Sequence, residues 1–439
     1  MWSRIPFNVL PKINRNFTRT FLSESYKCAE SWNQRLTSPI LQNINPTNFY
    51  YELEQKFQTY GKISPIDIDI LANKISEGGD IDALADLMHK HRMTEETSNT
   101  LDSTGHSLIR ACLEKFQIDE LLHILDDRLN YGVFLDSFTA NMSLDVLIKN
   151  KDFKSAAKVA TLIMLQEDFD NKITQALSLY ACVKHLQKPE PFKEAPPEPV
   201  VTEPKTKKKV EEVKVRVKFI RNSYFDDHFD LTDDNDLVGK TLMMVGELIP
   251  GTIGNSAQLL GYGLYGKYEK GCEFLAKVGS DVHVDAIEML KTFLETVKIE
   301  DNEHFANFCQ KVNELTGGST NSFENDISNL VNSMVSENEA ADVEQQKKIY
   351  SEWCDLRQQR LKEDFERLQR KKRVEEIERI NQSMAEEEQK LWFFENEDKI
   401  DLQIDSKRIF YHKRWFGKKK KPRTVDQGYV PPEVQKKRT

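Results

Sequence analysis

A threonine recurs every 35 residues in the first half of the chain, and the segments around it align without gaps. The three positions are Thr104, Thr139 and Thr174. An earlier segment, ILANKISEGGDIDALADLMHKH, fits the same scheme with a spacing of 37 residues. Self-similarity at a period of roughly 20–50 residues is typical of repeat architectures, whose units stack on their neighbours. The sequence therefore predicts an array of repeated units.

Each unit has the pattern of two short helices joined by a polar turn. The predicted turns lie at residues 77–80, 116–117 and 151–152, and a similar unit later in the chain has its turn at residues 266–268. No proline interrupts residues 66–188 or 251–421, so both stretches are free to be helical. Because neither helix of a pair can bury its apolar stripe alone, the pairs must stack. We predict an all-α solenoid in which Leu121 and Ala156 occupy equivalent buried positions.

A long charged segment near the C-terminus predicts a single long helix. Residues 342–390 contain neither Gly nor Pro, and 25 of these 49 residues are charged. Apolar residues recur there at spacings of three and four, which is the pattern of a narrow helical stripe. The heptad pattern breaks between Leu368 and Val374, which favours a helix lying against partners over a strict coiled coil.

The first residues have the composition of a mitochondrial transit peptide. Residues 1–23 contain four basic and no acidic residues, interleaved with Phe, Leu, Ile, Ser and Thr. A secretory signal would need an apolar run of roughly 7–15 residues, which this segment lacks. A disordered cationic tail is the alternative interpretation. As a transit peptide, the segment predicts a location in the mitochondrial matrix.

Proline-rich and charged stretches divide the chain into seven predicted segments. Six of the fifteen prolines fall between residues 189 and 204, as expected of an extended linker. The predicted segments are a transit peptide at 1–30, a helical repeat domain at 31–187, a Pro- and charge-rich linker or insertion at 188–222, a second helical repeat region at 223–315, a polar linker at 316–341, the long charged helix at 342–400 and a disordered basic tail at 401–439.

Charge is distributed very unevenly along the 439 residues. The whole chain has a formal charge of −9, but residues 407–439 hold twelve Lys and Arg against two acidic residues, a local charge of +10. The first 23 residues add +4, which leaves −23 for residues 24–406. No run of 18 apolar residues exists, which excludes an integral membrane protein of the helical class. The six cysteines form no CxxC pair, so a reducing compartment is the simplest setting.

The 35-residue unit resembles the pentatricopeptide repeat. Residues 132–141 read GVFLDSFTAN, and units of that repeat end near Gly-x-x-Pro-Asp and begin with a Thr-x-Asn helix. Over residues 31–186 and 240–315 the chain resembles the pentatricopeptide-repeat proteins of the mitochondrial small ribosomal subunit, most specifically in residues 131–186. The insertion at 188–218 and the basic tail depart from the vertebrate members. The resemblance implies a structural protein of the mitochondrial ribosome, with small-subunit rRNA and other small-subunit proteins as partners and no small-molecule substrate.

In that repeat family an RNA base is read by the fifth residue of a unit together with its last residue. Counted on this chain, the pairs are His106 with Asp136 and Asn141 with Asn171, and the next unit offers only Ala176. The resemblance makes Asn141 and Asn171 candidate RNA-binding residues, because the Asn pair is compatible with a pyrimidine. One or two readable units supply only about 1–3 kcal/mol of discrimination each, which is too little for a dedicated sequence reader.

The basic tail is the stronger candidate for RNA binding. Its cations neutralise phosphates, and its interleaved aromatic rings stack on exposed bases. A nuclear localisation signal or a nonspecific cationic tail is the alternative. The candidate residues are Lys407, Arg408, Tyr411, Lys413, Arg414, Trp415, Phe416, Lys418, Lys419, Lys420, Lys421 and Arg423.

Motifs that suggest catalysis, a metal or a cofactor are weak. Gly261, Gly263 and Gly266 match the GxGxxG spacing, but no strand pattern precedes them. His89 and His91 lie on different helix faces, and the acidic cluster at residues 226–236 lacks the calcium-loop pattern. We therefore predict no catalytic, cofactor-binding or metal-binding residues.

The sequence thus leaves two hypotheses open for the function. The first is a structural component of the mitochondrial small ribosomal subunit, which supports mitochondrial translation. The second is a free mitochondrial pentatricopeptide-repeat protein that binds RNA in transcript stability or processing. A free RNA reader should have basic repeats, whereas residues 24–406 are strongly acidic. The charge distribution favours the first hypothesis.

Overall fold

A computed structural model describes residues 21–75, 80–192, 229, 231–296, 303–315, 317–319 and 321–407. Within these ranges the chain is helical and no β-strand is present, which confirms the all-α prediction. The α-helices are α1 (Ala29–Gln34), α2 (Pro39–Gln42), α3 (Pro46–Tyr60), α4 (Pro65–Lys74), α5 (Ile81–Arg92), α6 (Asp102–Lys115), α7 (Ile118–Asp126), α8 (Arg128–Tyr131), α9 (Ser137–Lys149), α10 (Phe153–Gln166), α11 (Lys172–Gln187), α12 (Asp234–Leu248), α13 (Thr252–Leu264), α14 (Tyr268–Val278), α15 (Val284–Thr296), α16 (Glu303–Glu314) and α17 (Phe323–Ser406).

The predicted turns separate paired helices where the structure describes them. Phe116 lies between α6 and α7 with φ of 62°, and Lys151 lies between α9 and α10 with φ of 61°. Gly266, with φ of 69°, separates α13 from α14. These left-handed residues end one helix and reverse the chain into the next. The fourth predicted turn, at 77–80, lies outside the described residues except for Asp80.

The recurring threonines are all buried, and two of them donate hydrogen bonds to a neighbouring helix pair. Thr104 Oγ1 donates to Asp69 Oδ1 at 3.0 Å, across a separation of 35 residues. Thr174 Oγ1 donates to Asn141 Oδ1 at 2.7 Å. Leu121 and Ala156 are both 0% exposed, as predicted, and each is the fourth residue of the second helix of its pair. The period in the sequence therefore corresponds to contacts that recur between stacked pairs.

Short polar side chains cap both helices of the α9–α10 pair. Asp136 accepts from the backbone N–H of Thr139 at 2.9 Å and forms a capping box with it. Asp152 accepts from the N–H of Ser155 at 3.1 Å. Such caps satisfy backbone donors that have no partner inside the helix and are worth roughly 0.5–2 kcal/mol each. They fix the starts of α9 and α10.

The second helical region continues the same stack. Helix α12 packs against α10 and α11, although residues 193–228 separate it from them in the chain. Helices α12 and α13 approach each other through glycines: a Cβ on Gly261 would lie 2.7 Å from the carbonyl oxygen of Gly239 and 2.8 Å from the backbone nitrogen of Met243. These glycines allow close helix packing. Gly261 and Gly263 of the GxGxxG segment lie within α13, and the element that precedes α13 is the helix α12.

Replacing Gly261 with alanine should destabilise the protein. The added methyl group meets backbone atoms that cannot move without shifting α12, and such overpacking costs about 1–3 kcal/mol. Gly105→Ala is the matched control, because a Cβ there meets only a side-chain carbon of Val133 at 3.7 Å. That substitution should be neutral or stabilise by up to about 1 kcal/mol through helix propensity. Urea unfolding of both variants measures the difference, and equal midpoints would contradict the close packing.

The long C-terminal helix begins earlier than predicted. Helix α17 starts at Phe323, so the prediction of a polar linker over 316–341 is wrong for most of that segment. Ile327, Val331 and Val335 recur every four residues and are 0–5% exposed, so a narrow apolar stripe is buried among Asn, Ser and Glu. The fold divides into two units within this helix: the first ends at Asp355 and the second begins at Leu356.

All six cysteines are free thiols, and three of them are buried. Burial raises the pKa of Cys112 and of Cys182 to about 12. Because the thiolate is the reactive form, neither side chain is a nucleophile near neutral pH. Both cysteines serve as small apolar core residues.

Candidate interaction surfaces

The residues at the base-reading positions of the repeat come together on one face of the first unit, although only Asn141 and Asn171 were candidates for RNA binding. His106 Nδ1 lies 3.3 Å from Asp136 Oδ2, and Asn141 Nδ2 lies 3.4 Å from Asn171 Oδ1. The first residue of each pair lies in the first turns of α6 or α9, and the second caps the next unit. The two residues that the resemblance pairs in each unit are therefore neighbours in the structure.

The Asn141–Asn171 pair is already occupied by the chain itself. Asn141 is 0% exposed; its amide nitrogen donates to the Tyr26 hydroxyl at 2.9 Å, and its oxygen accepts from Thr174. Asn171 Oδ1 caps α11, and its Nδ2 donates to Asp342 Oδ2 at 2.8 Å. A base could reach either amide only by displacing these partners. In this structure the polar atoms of both asparagines are thus engaged by other parts of the same chain.

His106 is enclosed in the same way. Its Nε2 lies 3.0 Å from the Tyr350 hydroxyl, which also accepts from Arg110 Nη1 at 3.1 Å. The Trp32 ring packs against His106, with 5.2 Å between ring centroids, and the Arg110 guanidinium lies 5.0 Å from the Trp32 ring centroid. Burial raises the pKa of Tyr350 above its ordinary value, so the phenol remains a neutral hydrogen-bonding group.

Two distant parts of the chain cover this face, namely the N-terminal segment from Phe21 onward and the first part of α17. The backbone N–H of Leu22 donates to Asp145 Oδ1 at 3.2 Å, and the Tyr26 ring stacks on Phe138 with 4.8 Å between centroids. The Tyr26 hydroxyl also donates to Asp342 Oδ2 at 3.4 Å. Burial raises the pKa of Tyr26, so its hydroxyl keeps its proton. The repeat face is thus an internal interface of the first unit.

The remaining candidate residues belong to the basic tail and to the histidine pair of α5. Lys407 is exposed immediately after the end of α17, and the other eleven candidates of the basic tail lie outside the described residues. His89 Nδ1 lies 3.3 Å from the backbone oxygen of Asn130, and His91 Nε2 lies 3.2 Å from Thr100 Oγ1. Across the described part of the chain, no three His, Cys, Asp or Glu side chains are grouped as metal ligands are.

Comparison with known protein families identifies the chain. None of the helices in the described ranges is long and apolar enough to cross a bilayer. A family model described as Mitochondrial 28S ribosomal protein S27 matches residues 2–383. That match spans the stacked helix pairs, the enclosed repeat face and more than half of α17. The chain therefore belongs to the mitochondrial 28S ribosomal protein S27 family.

Proposed function

We propose that this chain, a structural component of the mitochondrial small ribosomal subunit in the matrix, divides its contacts between two parts. The acidic body contacts neighbouring ribosomal proteins, and the basic tail from Lys407 onward contacts rRNA. The observation that carries the proposal is the enclosure of the repeat face by Tyr26, Asp342 and Tyr350. A repeat array that uses this face internally has to find its partners elsewhere.

The charge distribution supports the same division. Residues 24–406 sum to −23, whereas residues 407–439 sum to +10. RNA binding depends on cations that neutralise phosphates and release condensed counterions, so the acidic body is poorly suited to it. The tail combines nine Lys and Arg in residues 407–423 with Tyr411, Trp415 and Phe416, whose rings can stack on unpaired bases. A free RNA-binding repeat protein is not favoured by the family match.

Deletion of residues 407–439 tests this division within the particle. Tagged full-length protein and the deletion variant are each expressed in mitochondria, followed by ultraviolet crosslinking and sedimentation. The deletion should remove the crosslinks to rRNA, while protein contacts retain the body in the small-subunit fraction at low salt. If the rRNA crosslinks persist without the tail, the repeats must supply the RNA contact.

The covered repeat face also restricts where a transit peptide can be cleaved. Tyr26 and Trp32 are 1% and 3% exposed and belong to the core of the first unit. Cleavage at the predicted boundary after residue 30 would remove Tyr26 and its hydrogen bond to Asn141. We therefore expect the mature protein to begin at or before Phe21. Mass spectrometry of the N-terminal peptide from purified organelles measures this, and a mature N-terminus between residues 27 and 35 would contradict it.

A further inference from the structure

The second part of α17 carries an apolar seam that no described residue of its own unit covers. Five side chains form the seam, and each is about half exposed or more. They are Ile377 (56%), Ile380 (48%), Met384 (55%), Leu391 (70%) and Phe394 (53%). Large apolar side chains exposed in a contiguous row mark an interaction site more often than a free surface.

The seam has the spacing of a two-helix contact. Its residues are separated by three, four, seven and three positions, which are the a and d positions of consecutive heptads. At 100° per residue they lie within about one third of the helix circumference, so one partner helix can cover all of them. Glu387 occupies the one d position between Ile380 and Phe394 that is not apolar. A helix that covers the seam is therefore expected to place a basic side chain opposite Glu387.

The charge beside the seam specifies the occupant further. Residues 374–401 contain ten acidic and three basic residues, and Glu388, Glu395 and Glu397 flank the seam directly. Charged residues at these flanking positions select the partner of a helix pair. RNA is a poor fit, because its phosphates would face this acidic rim. A second copy aligned seam to seam would place a net charge of −7 against the same charge.

We propose that the seam from Ile377 to Phe394 docks a cationic amphipathic helix of a neighbouring protein in the small subunit. The proposal rests on the proposed function, since it takes that neighbour to be a ribosomal protein. The preceding segment, residues 357–373, has the opposite net charge of +5, so the acidic stretch is a distinct block of the helix. A second copy of this chain could instead bind antiparallel, with its basic residues 357–373 against the acidic seam. The crosslinking test below distinguishes this alternative.

The first test uses the full-length protein and two synthetic helical peptides with the same Leu and Ile seam. One peptide carries Lys at its flanking positions and the other carries Glu. The Lys peptide should bind at least tenfold more tightly in a fluorescence anisotropy titration. Ile380→Gln should weaken that binding at least tenfold, whereas Gln382→Ala, on the opposite helix face, should leave it unchanged. Equal binding of both peptides, or equal binding by the two variants, would overturn the proposal.

The second test is made in the assembled particle. A photoreactive phenylalanine analogue replaces Met384 in the full chain, and the crosslinked species is identified by mass spectrometry from the small-subunit fraction. The proposal expects a crosslink to a Lys- and Arg-flanked helix of another small-subunit protein. A crosslink to rRNA, to a second copy or to nothing overturns it while leaving the proposed function in place. If the chain does not sediment with the subunit at all, the proposed function fails instead.

Discussion

Replacement of Ala156 by aspartate is expected to lower the free energy of unfolding by about 3–5 kcal/mol, because an unpaired carboxylate enters the interior. Ala156 is 0% exposed in α10, a helix that packs against α7, α9, α11 and α12. The methyl group leaves no room for a hydrated charge at this contact. A loss of that size is a large fraction of the roughly 5–15 kcal/mol that stabilises a typical domain.

Ala385→Asp is the matched control for this substitution. Ala385 also lies in a helix interior but is exposed, so the control carries the same change in helix propensity without burial of the charge. Urea unfolding followed by circular dichroism should show a large decrease in the midpoint for Ala156→Asp and a small one for Ala385→Asp. Similar midpoints for the two variants would mean that Ala156 does not lie between stacked helix pairs.

RNA binding by the basic tail is expected to depend steeply on salt. A fragment of residues 400–439 should bind a single-stranded segment of small-subunit rRNA through many phosphate contacts. Affinity should fall on the order of 10³-fold between 50 and 200 mM salt if six or more phosphates are engaged. Replacing Lys418, Lys419, Lys420 and Lys421 with Ala should flatten the slope of log K against log salt by up to about 0.7–0.9 for each phosphate that is no longer neutralised.

Replacing the aromatic residues of the tail is expected to lower the affinity for RNA without changing its dependence on salt. Ala at Tyr411, Trp415 and Phe416 should lower the affinity by about 1–3 kcal/mol for each stacked base. The salt slope should change little, because stacking releases no counterions. Fluorescence anisotropy titrations at several salt concentrations separate the two effects. If the lysine and aromatic variants change the slope equally, the tail does not combine phosphate contacts with stacking.

Local features of the fold could be predicted from the sequence because their causes are local. The 35-residue period located the helix pairs, and the turns at residues 116–117, 151–152 and 266–268 lie between helices as expected. Helical periodicity, turn residues and caps act over only a few positions, so they are readable without the tertiary structure. The same holds for the long helix, whose lack of Gly and Pro predicted a continuous segment.

Polarity was a misleading guide to the start of α17. Residues 323–341 are rich in Asn, Ser and Glu, and they are helical because Ile327, Val331 and Val335 bury one narrow stripe. Leu330 and Met334 are partly buried beside that stripe, so the segment has the three- and four-residue apolar spacing of an amphipathic helix, which its polar composition masks. Burial of this face stabilises the helix, since most helical stability in proteins comes from tertiary contacts.

The sequence by itself determined the helix pairs and their period, and the resemblance to the repeat family paired His106 with Asp136 and Asn141 with Asn171 on one face. Only the tertiary structure decided that this face is closed. The contacts that close it join residues 115 and 244 positions apart, between Asn141 and Tyr26 and between His106 and Tyr350. A polar side chain has the same sequence signature whether its partner is RNA, water or another part of the chain. Long-range pairing leaves no trace in local periodicity, and so the availability of these residues had to come from the fold.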